Sequence, residues 1–452
     1  MAELEEMLAG ILTDLRPLPK TLAVCDRVSD MLVKGLEEVF GPGRVSLEGS
    51  YAKGTMVRGR EEVDVFIHFD RSKPVEEAAQ QVLAAGTELV KRLGGSVRLR
   101  YASHPYVEGF VEGVRVNVVP CYDTEPGKWI TPVDRTPYHT RYVKSMLDGR
   151  LADEVRLLKA FLMNDGIYGA EIKTRGFSGY ACELLIIRYG SFLKLLRAAS
   201  EWRLPVVLDG HERLFPNQPM VLTDPVDETR NVTAAVSTTS LSKFILKAKL
   251  FLRRPSPEYF SEKTRLPAPV EGRQFVAVVF DVPDEPPDIL WGELGRTLEG
   301  LAKALAGSGF KPYRSGCSTD GRRAVLLYEL ETLRLPETYL HVGPPVWSRN
   351  AVEFVEEQLR KKDLALPPWV DGERLYSLRR RRYVEPIGFL RDVIEGGKAS
   401  VSKTLIPKLR NCTVTADVAG LKAGLDGELR EFLEEFIAAC PTFIATFWFS
   451  KV

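Results

Sequence analysis

An apolar segment near the N-terminus carries two carboxylates, and this combination restricts the fold more than any other feature of the chain. Val63–Phe69 has the alternation of a half-buried strand, and Glu62 directly precedes it. Because side chains two residues apart share one face of a strand, Glu62 and Asp64 emerge together. The apolar side chains between and after them face the core: Val63, Val65 and Ile67. The sequence therefore predicts a strand with one buried face and one acidic face.

Two carboxylates at this separation repel each other unless a cation lies between them. Magnesium, held by one or two carboxylates and by substrate phosphates, is the usual cation. The turn Gly49-Ser50, which eleven residues (51–61) separate from Glu62, is expected to open a helical turn that offers backbone N–H groups and a hydroxyl to a phosphate. The competing interpretation is an exposed edge strand with an acidic outer face after an ordinary turn. The Gly-Ser turn at this spacing favours a metal and phosphate site.

The composition limits the class of protein. A chain of 452 residues is too long for one core, so we expect two to four domains. With 44% hydrophobic and 27% charged residues, neither disorder nor a membrane span is indicated. The net charge of +1 excludes a uniformly basic surface, so nucleic-acid binding would need local clusters. The six scattered cysteines lack zinc spacing, and the acidic N-terminus lacks signal-peptide features, which predicts a cytoplasmic protein.

The periodicity of the chain predicts an α+β protein whose first half has two parts. Residues 1–145 are predicted to form a mixed domain with two amphipathic helices within Glu3–Phe40, a helix Val75–Leu93, and strands Val45–Glu48, Val63–Phe69, Val97–Tyr101, Tyr106–Val111 and Val114–Val119. Residues 146–255 are helical in pattern over Asp153–Ala199, with a glycine-rich bend at Gly166–Gly179. They predict a helical central domain. The segment Arg253–Pro269, with four prolines, is predicted to be a linker.

The second half has a different pattern. Residues 270–385 are predicted to contain a strand Phe275–Val282, a helix Leu290–Leu305, and strands Lys311–Ser315 and Arg323–Leu330. This β-α-β-β order suits a ferredoxin-like or RNA-recognition-motif (RRM) type body. Residues 386–452 form a predicted tail, with a helix that carries Leu425, Leu429, Phe432, Leu433 and Phe436. The apolar end Phe443–Phe449 suits a homodimer contact or packing within the tail equally well.

Several motifs resemble one known family. They are GSYAKGT (Gly49–Thr55), EVDVF (Glu62–Phe66), HPYVEG (His104–Gly109), VVPCY (Val118–Tyr122), VDRTPYH (Val133–His139), EVRLLKAFL (Glu154–Leu162), GIYGAE (Gly166–Glu171), RGFSGYACELL (Arg175–Leu185) and DPVDETRNVTA (Asp224–Ala234). Gly-Ser before an acid-x-acid strand resembles the polymerase-β-like nucleotidyltransferases. The longer motifs resemble the archaeal (class I) CCA-adding enzymes, a family of tRNA nucleotidyltransferases, most densely over residues 45–235.

The resemblance implies an activity and a set of roles. It implies template-independent addition of C, C and A to the tRNA 3' end from CTP and ATP, with a polymerase-β-like head and two magnesium ions at Glu62 and Asp64. It implies that Ser50 and Lys53 contact the triphosphate and that Arg230, with the RNA backbone, reads the base edge. The complete set of nucleotide-binding positions is Gly49, Ser50, Lys53, His139, Lys159, Tyr168 and Arg230.

The chemistry of these residues permits the roles but also has simpler explanations. Lys53 and Lys159 are compact cations that can neutralise phosphate oxygens, although most lysines lie on a solvated surface. His139 is expected in a proline-containing loop rather than on an apolar helix face, and a buried core histidine is an equally good interpretation. Tyr168, between glycines, could stack on a sugar or base, or pack in the core. Arg230 offers a bidentate donor, although a salt bridge is the commoner state of a lone arginine.

The chain departs from the family at the third carboxylate. The family strand reads x-V-D-V-V-P-C-Y, and Asn117 stands where the aspartate is expected. An amide can lend one oxygen to a metal but carries no charge and accepts no proton from the primer hydroxyl. Three explanations are open: a natural variant in which Asp123 or Glu112 substitutes, an introduced change, or a lineage that has lost catalysis. We expect a CCA-adding scaffold with impaired chemistry.

A tRNA substrate requires basic surface elsewhere. Four clusters with nearby aromatic residues are candidates: Arg253-Arg254, Arg322-Arg323, Arg360-Lys361-Lys362 and Arg379-Arg380-Arg381-Arg382. Any one of them could be an ordinary solvated face. The resemblance implies that this half reads the acceptor stem and TΨC arm of tRNA by shape. The alternative functions are a poly(A) or 2'-5' oligoadenylate type nucleotidyltransferase and a tRNA-binding pseudoenzyme.

Overall fold

The computed structural model describes residues 2–101, 105–210, 212–260, 270–397 and 399–449. The chain forms two compact units, Met1–Leu266 with Cys440–Val452 and Pro267–Ala439. His104, the first residue of one of the family motifs, and residues 261–269 of the predicted linker lie outside the described residues. Among the described helices, none is both long and apolar enough to cross a membrane.

The first unit begins with the predicted mixed α/β region. Its helices are α1 (Ala2–Leu15), α2 (Pro19–Phe40), α3 (Gly49–Ala52) and α4 (Val75–Arg92), and its strands are β1 (Val45–Glu48), β2 (Glu62–Phe69), β3 (Ser96–Tyr101), β4 (Pro105–Val111) and β5 (Val114–Tyr122). The strands form one sheet in the order β1-β2-β5-β4-β3, in which only β2 and β5 are parallel. Apolar side chains of α2 and α4 pack on one face. The other face carries the acids.

The predicted strands of this sheet are confirmed, although β2, β3 and β4 each begin one residue earlier than expected and β5 ends three residues later. The last strand was expected to end at Val119, but β5 continues to Tyr122. It does so because β5 pairs with β2 residue by residue as far as Phe69 opposite Tyr122. Pairing with a central neighbour thus carries the strand through Pro120.

The rest of the first unit is mostly helical, as the periodicity predicted. It contains helices α5 (Thr136–Met146), α6 (Gly149–Met163), α7 (Gly179–Tyr189), α8 (Phe192–Ser200) and α9 (Thr238–Arg253), and the short strands β6 (Val206–Val207), β7 (Met220–Val221), β8 (Thr223–Asp224) and β9 (Asp227–Asn231). Asp148, Ser178 and Ser237 begin α6, α7 and α9 by accepting backbone hydrogen bonds. The glycine-rich bend separates α6 from α7. The four short strands were not expected from the sequence.

Both ends of the chain join this helical core. Leu8 of α1 is buried in it, although the sequence analysis placed α1 in the first part. Phe443, in the C-terminal helix (Thr442–Phe449), is 1% exposed in the same core. That helix packs against α9 and the turn Pro257–Tyr259. The apolar chain end therefore packs within the first unit, and packing within the tail was the wrong expectation.

The second unit contains two sheets. Its strands are β10 (Gln274–Asp281), β11 (Pro312–Thr319), β12 (Arg323–Leu330), β13 (Thr338–Pro345), β14 (Leu364–Asp371), β15 (Arg374–Arg380) and β16 (Thr413–Thr415), and its helices are α10 (Pro287–Gly307), α11 (Ala351–Leu359), α12 (Pro386–Glu395), α13 (Ile406–Leu409), α14 (Val418–Ala423) and α15 (Gly427–Ala438). The C-terminal helix Thr442–Phe449 of the first unit is α16. The four-stranded sheet has the antiparallel order β11-β12-β10-β16. The predicted β-α-β-β order is confirmed, with β11 four residues longer at its C-terminal end than expected.

Candidate active site

The two carboxylates predicted from the sequence lie next to each other on β2. Glu62 and Asp64 occupy the acidic face, and Val63 between them is fully buried in the opposite direction. Gly49 packs directly on Asp64, since a β-carbon at Gly49 would lie 1.8 Å from an Asp64 carboxylate oxygen. Gly49 also has a φ angle of +70°, which L side chains rarely adopt. Only glycine therefore allows the Gly-Ser turn to lie this close to the acids.

Asn117 faces the same site from β5. It lies opposite Asp64 in the parallel pairing, and its side-chain nitrogen donates a 2.8 Å hydrogen bond to Asp64 Oδ1. The amide oxygen of Asn117 is buried and accepts no hydrogen bond from the described residues. Burial, together with the negative charge of Glu62, raises the pKa of Asp64 to about 7. Among the described residues, the negative charge of the Asp64 carboxylate is thus incompletely neutralised, and the amide oxygen of Asn117 has no donor.

These donors fit a hard divalent cation. They are all oxygen atoms, which is the ligand type that magnesium prefers. No three His, Cys, Asp or Glu side chains among the described residues are grouped so that they could hold a metal ion. The third protein ligand would therefore be the unpaired oxygen of Asn117 rather than an acid. The ligands of such a site, two carboxylates and a neutral amide, would carry less negative charge than three carboxylates.

The two acids that the sequence offered as substitutes for the missing aspartate have other partners. Glu112 lies at the turn between β4 and β5 and forms an ion pair with Arg27. Asp123 forms ion pairs with Arg44 and His68. The suggestion that either acid takes the place of an aspartate at 117 is therefore wrong.

Sequence reasoning missed an arginine and an acid beside Asn117. Arg115, on the same face of β5, lies 3.6 Å from Glu62 and donates a 2.6 Å hydrogen bond to Glu108 on β4. Glu108 is buried and lies opposite Asn117 in the register of β4 and β5. Glu108, the carboxylate that lies opposite Asn117 in the strand register, is thus bound by Arg115. Alternation along β4 and β5 was the signal that could have indicated this pair.

The two lysines predicted from the sequence share one buried carboxylate. Lys53 donates a 2.6 Å hydrogen bond to Glu183, and the Nζ atom of Lys159 lies 3.8 Å from the same group. The side chains of Lys53 and Lys159 are only 9% and 3% exposed. The solvated-surface interpretation is therefore wrong for both. Glu183 was not identified from the sequence, although an acid inside the apolar run of α7 is an unusual feature that could have drawn attention.

Thr55 completes this cluster. Its hydroxyl donates a 2.7 Å hydrogen bond to Glu183 and accepts one of 3.1 Å from Lys159, which also donates to the Thr55 carbonyl oxygen. Burial lowers the pKa of Lys159, although the charge of Glu183 acts in the opposite direction. Burial also tends to raise the pKa of Glu183, but the two lysines hold it below its ordinary value. The cluster therefore holds two cations against one anion.

Tyr168 lies in the glycine-rich bend, and its hydroxyl is next to Gly179, the first residue of α7. A β-carbon at Gly179 would lie 3.0 Å from the Tyr168 hydroxyl and 3.8 Å from Lys159 Nζ. Glycine at the first residue of α7 therefore allows the tyrosine and the lysine to meet. Burial raises the pKa of Tyr168, so the phenol stays protonated near neutral pH. Tyr168 both packs on the helical core and lines the cavity, so the two interpretations of this residue are compatible.

His139 and Arg230 meet at a second buried acid, Asp224. Arg230 donates a 2.8 Å hydrogen bond to Asp224 Oδ2, and the Nε2 atom of His139 shares a hydrogen bond of the same length with that oxygen. The hydroxyl of Tyr180 donates to Asp224 Oδ1 at 3.0 Å. The His139 ring stacks on Tyr180, with 4.0 Å between the ring centres. His139 lies in helix α5 and is buried, so the loop expected for it is wrong, and burial lowers the pKa of its ring although Asp224 acts in the opposite direction. Arg230 is thus held in a salt bridge, and Asp224 and Tyr180 are further residues that sequence reasoning missed.

A cavity of about 870 Å³ brings most of the predicted residues together. Its lining includes Gly49, Ser50, Lys53, Glu62, Asp64, Asn117, Lys159, Tyr168, Tyr180 and Glu183. This volume is in the range of nucleotide and cofactor sites. Arg230 lines an adjoining cavity of about 610 Å³, which shares Ala170 and Ser178 with the first. His139 does not line the first cavity but lies against Tyr180, which does.

The basic residues predicted to bind RNA in the second unit differ in exposure. Arg360, Lys361, Lys362 and Arg380 have exposed side chains. Arg379 instead bonds to Asp363 at 2.5 Å, and Arg381 lies over the Tyr339 ring and donates to the Ser308 carbonyl oxygen. The cluster Arg379-Arg380-Arg381 therefore does not form one continuous basic face.

Family comparisons agree with this site. Family models match three successive stretches: "Nucleotidyltransferase domain" over residues 29–139, "tRNA nucleotidyltransferase, second domain" over 153–261, and "CCA-adding enzyme, C-terminal domain" over 271–417. The acid pair, the Gly-Ser turn and the buried lysines all lie within the first two stretches. Fold and site together define a nucleotidyltransferase, an enzyme class with a mixed α and β catalytic head.

Curated relatives identify the family more closely. The chain is 40% identical to the CCA-adding enzyme of Pyrobaculum neutrophilum over 88% of this chain and 96% of that one. It is 33% identical to the CCA-adding enzyme of Methanocaldococcus jannaschii over 90% and 94%, and 39% identical to that of Methanopyrus kandleri over 85% of both chains. The chain belongs to the family of archaeal CCA-adding enzymes, which confirms the family expected from the motifs.

Proposed function

We propose that this protein adds C, C and A in turn to the 3' end of tRNA from CTP and ATP. The observation that carries the proposal is one cavity in which two adjacent carboxylates face two buried lysines. In the reaction, the tRNA 3' hydroxyl oxygen forms a bond to the α-phosphorus, the bond from that phosphorus to the leaving oxygen breaks, and pyrophosphate departs. The hydroxyl proton passes to a solvent water molecule during the attack, since Asn117 cannot accept it.

The phosphates would lie between the Gly-Ser turn and the lysine cluster. Gly49 and Ser50 offer a backbone N–H group and a hydroxyl, and Lys53 and Lys159 offer positive charge to the departing pyrophosphate. Tyr168 borders the same space, where it could contact the sugar. Arg230, held by Asp224, would present its remaining N–H groups to a base edge, and His139 would keep Tyr180 in place.

Magnesium would be held by Glu62, Asp64 and the amide oxygen of Asn117. When bound, it would stabilise the charge that develops on the transferred phosphate and lower the pKa of the primer hydroxyl. The sequence resemblance implied two ions, and the Asn117 side chain weakens the second position because it carries no charge. Glu62 and Asp64 also keep the cavity selective for a metal-bound triphosphate, since free carboxylates repel bare phosphates.

Asn117 is expected to reduce the rate more than it reduces nucleotide binding. It cannot accept the proton of the primer hydroxyl, and a missing general base costs about 10² to 10⁴ in rate. Ser50, Lys53 and Lys159 do not depend on Asn117 for their position. Nucleotide affinity should therefore stay near that of an Asn117→Asp variant.

The second unit would bind the tRNA acceptor stem and TΨC arm. This role is supported by four exposed cations: Arg360, Lys361, Lys362 and Arg380. Arg379 and Arg381 would instead fix the local structure of this surface through their contacts with Asp363 and Ser308. The succession β10-α10-β11-β12 along the chain supports an RRM or ferredoxin-like body. We retain the four-part division at 1–145, 146–255, 270–385 and 386–452 as a proposal, with residues 440–449 packed on the central helices.

One assay tests the proposal. The protein and its Asn117→Asp variant are incubated with labelled CTP or ATP and with tRNA that lacks its CCA end. Addition that stops after C, C and A, and that is faster with the variant, supports the proposal. Long homopolymers or 2'-5' linked products would reject it in favour of the related polymerases. Absence of turnover even with Asn117→Asp would favour a tRNA-binding pseudoenzyme.

Two further expectations remain proposals. A homodimer through the C-terminal tail is supported by Trp448 on α16, which is 58% exposed, although Phe443 is used within the chain itself. Light scattering of the protein and of a Trp448→Ser variant would test it, and a monomer in both cases would reject it. A cytoplasmic location is also expected for an enzyme that acts on tRNA.

A further inference from the structure

We propose that Glu183 is a positioning residue for the nucleotide. It would serve as the shared counter-ion that keeps Lys53 and Lys159 in place for the phosphates, and it would release Lys53 when a triphosphate binds. The inference rests on the proposed function, because it needs a nucleoside triphosphate in the cavity.

The geometry makes Glu183 the centre of the cluster. One carboxylate oxygen accepts from Lys53 at 2.6 Å, and the other accepts from the Thr55 hydroxyl at 2.7 Å and lies 3.8 Å from Lys159. The Glu183 side chain is 1% exposed. Glu183 lines the cavity but is almost inaccessible to solvent, so it offers very little surface to a substrate. Its influence on a nucleotide has to pass through the residues that it holds.

Electrostatics explains why such a residue is needed. Two buried ammonium groups in one cluster repel each other, and each is penalised by loss of hydration. One carboxylate between them offsets this repulsion and fixes the direction in which the two side chains point. The cluster has two basic side chains and one acid, so it can accept an anionic ligand. Without Glu183, Lys53 would lose its hydrogen-bond acceptor and could turn away from the cavity.

The two lysines are held to different degrees. Lys159 extends from the helix α6 and donates to both oxygens of Thr55 as well as facing Glu183. Lys53 follows the short helix α3 and is the more exposed of the two, and its ammonium group lies 5.8 Å from the centre of the Tyr180 ring, which lines the cavity. Lys53 can therefore exchange Glu183 for a phosphate with a small movement, while Lys159 stays fixed.

The test compares two nucleotides that differ only in their terminal phosphates. Glu183→Gln preserves the size of the side chain and an acceptor for Thr55 but removes the charge. We expect KM and the dissociation constant for CTP to rise about tenfold or more, while kcat changes less than threefold. The affinity for CMP, measured as a competitive inhibitor, should stay within about twofold. A merely structural defect would weaken both nucleotides alike, which would overturn the proposal.

Two controls separate the role of Glu183 from general damage. In a Lys53→Met background, Glu183→Gln should add less than threefold to the loss of CTP affinity, because Glu183 acts largely through Lys53. Independent, multiplying effects would overturn the proposal. Asp165→Asn changes another buried acid that pairs with a lysine in the same unit, so it should lower stability but leave the ratio of CTP to CMP affinity unchanged.

A third variant keeps the proposal testable if Glu183→Gln does not fold. Thr55→Val removes the hydroxyl that links Glu183 to Lys159 and preserves the side-chain shape. It should weaken CTP binding about threefold and CMP binding not measurably, and an equal loss for both would overturn the proposal. Calorimetric binding of CTP needs no turnover. A protein that binds CTP as described but extends no tRNA would therefore reject the proposed function and leave this inference standing.

Discussion

Two buried clusters of lysine and carboxylate lie in the first unit, and they use the same chemistry for different ends. In the cavity cluster, Lys53 and Lys159 share Glu183. In the sealed cluster, Lys247 pairs with Asp165 at 2.5 Å and donates to the carbonyl oxygens of Phe161 and Tyr259, with no exposure of its side chain. The cavity cluster borders open space and has an unmatched positive charge. The sealed cluster has matched charges and is enclosed by apolar and aromatic side chains.

The difference shows how surroundings separate function from structure. Lys247 lies over the Phe161 ring, and Asp165 accepts from the backbone of Phe443 in α16. The sealed cluster thus joins α6, α9 and the C-terminal helix. A buried ion pair alone is weak support for either role, since its net contribution can be near zero. An unmatched charge at the wall of a cavity is the feature that indicates a ligand.

The largest expected effect is on the sealed cluster. Lys247→Met leaves Asp165 buried without its cation, which should lower the free energy of unfolding by about 3–5 kcal/mol. Urea denaturation at neutral pH measures the change. The double change Lys247→Met with Asp165→Leu should recover most of the loss, because it removes the unpaired charge. A loss below about 1 kcal/mol in the single variant would contradict the structural role.

The next effect is on the cavity cluster. Lys159→Met should lower kcat/KM for CTP by about 10² to 10³, as expected for loss of a fixed positive donor. Its effect on stability should be smaller than that of Lys247→Met, because Glu183 keeps Lys53 and Thr55 as partners. Steady-state kinetics and urea denaturation of both variants make the comparison. If Lys159→Met lost stability but not activity, the two clusters would have the same structural role.

A pH titration of stability distinguishes the clusters further. Burial lowers the pKa of Lys247 to about 8, although Asp165 acts in the opposite direction, and an ordinary lysine titrates near 10.5. Between these pH values the unfolded chain binds more protons, so this lysine makes the free energy of unfolding rise with pH, by about 1.4 kcal/mol per pH unit at most. The difference in the free energy of unfolding between the protein and Lys247→Met, followed from pH 7 to 10, measures this contribution. A difference that falls with pH would contradict the lowered pKa.

The smallest effect concerns a cation outside both clusters. Arg360 is exposed, and its ion pair with Glu356 spans 3.6 Å between exposed side chains, so Arg360→Gln should change stability by less than about 0.5 kcal/mol. The affinity for tRNA should fall about two- to fivefold, and the salt dependence should weaken by roughly one phosphate contact. Filter binding at several salt concentrations checks both. Unchanged affinity for tRNA would show that Arg360 does not contact the RNA.

Local patterns were sufficient for β2 and the turn before it. Alternation predicted that Val63 and its neighbours are buried, and the spacing from Gly49 to Glu62 predicted a site on the other face. Both depend on residues close in sequence. The buried partners of the predicted residues were not found in this way, because Glu183 is 130 positions from Lys53 and Asp224 is 85 from His139. Separations of this length are decided by packing of helices and strands, which periodicity does not describe.

The same limit explains the smaller errors. The strands β6 and β7 have two residues each, too few for any alternation to be seen. The end of β5 was set by its partner β2 rather than by its own residues. The apolar end Phe443–Phe449 could be seen in the sequence, but not its helical form or its position. The position depends on an apolar surface formed by distant residues and on Asp165, which accepts from the backbone of Phe443.

The sequence by itself determined the family and the residue types of the candidate site, since Glu62, Asp64, Gly49 and Asn117 lie in motifs that are short and local. Only the tertiary structure decided which of the lysines are charged partners of one acid, which acids are bound elsewhere, and which arginines face solvent. The physical reason is that charge and burial depend on all neighbours in space. A lysine in a sequence has a type and a position in the chain, whereas its partner, its protonation and its role come from the fold around it.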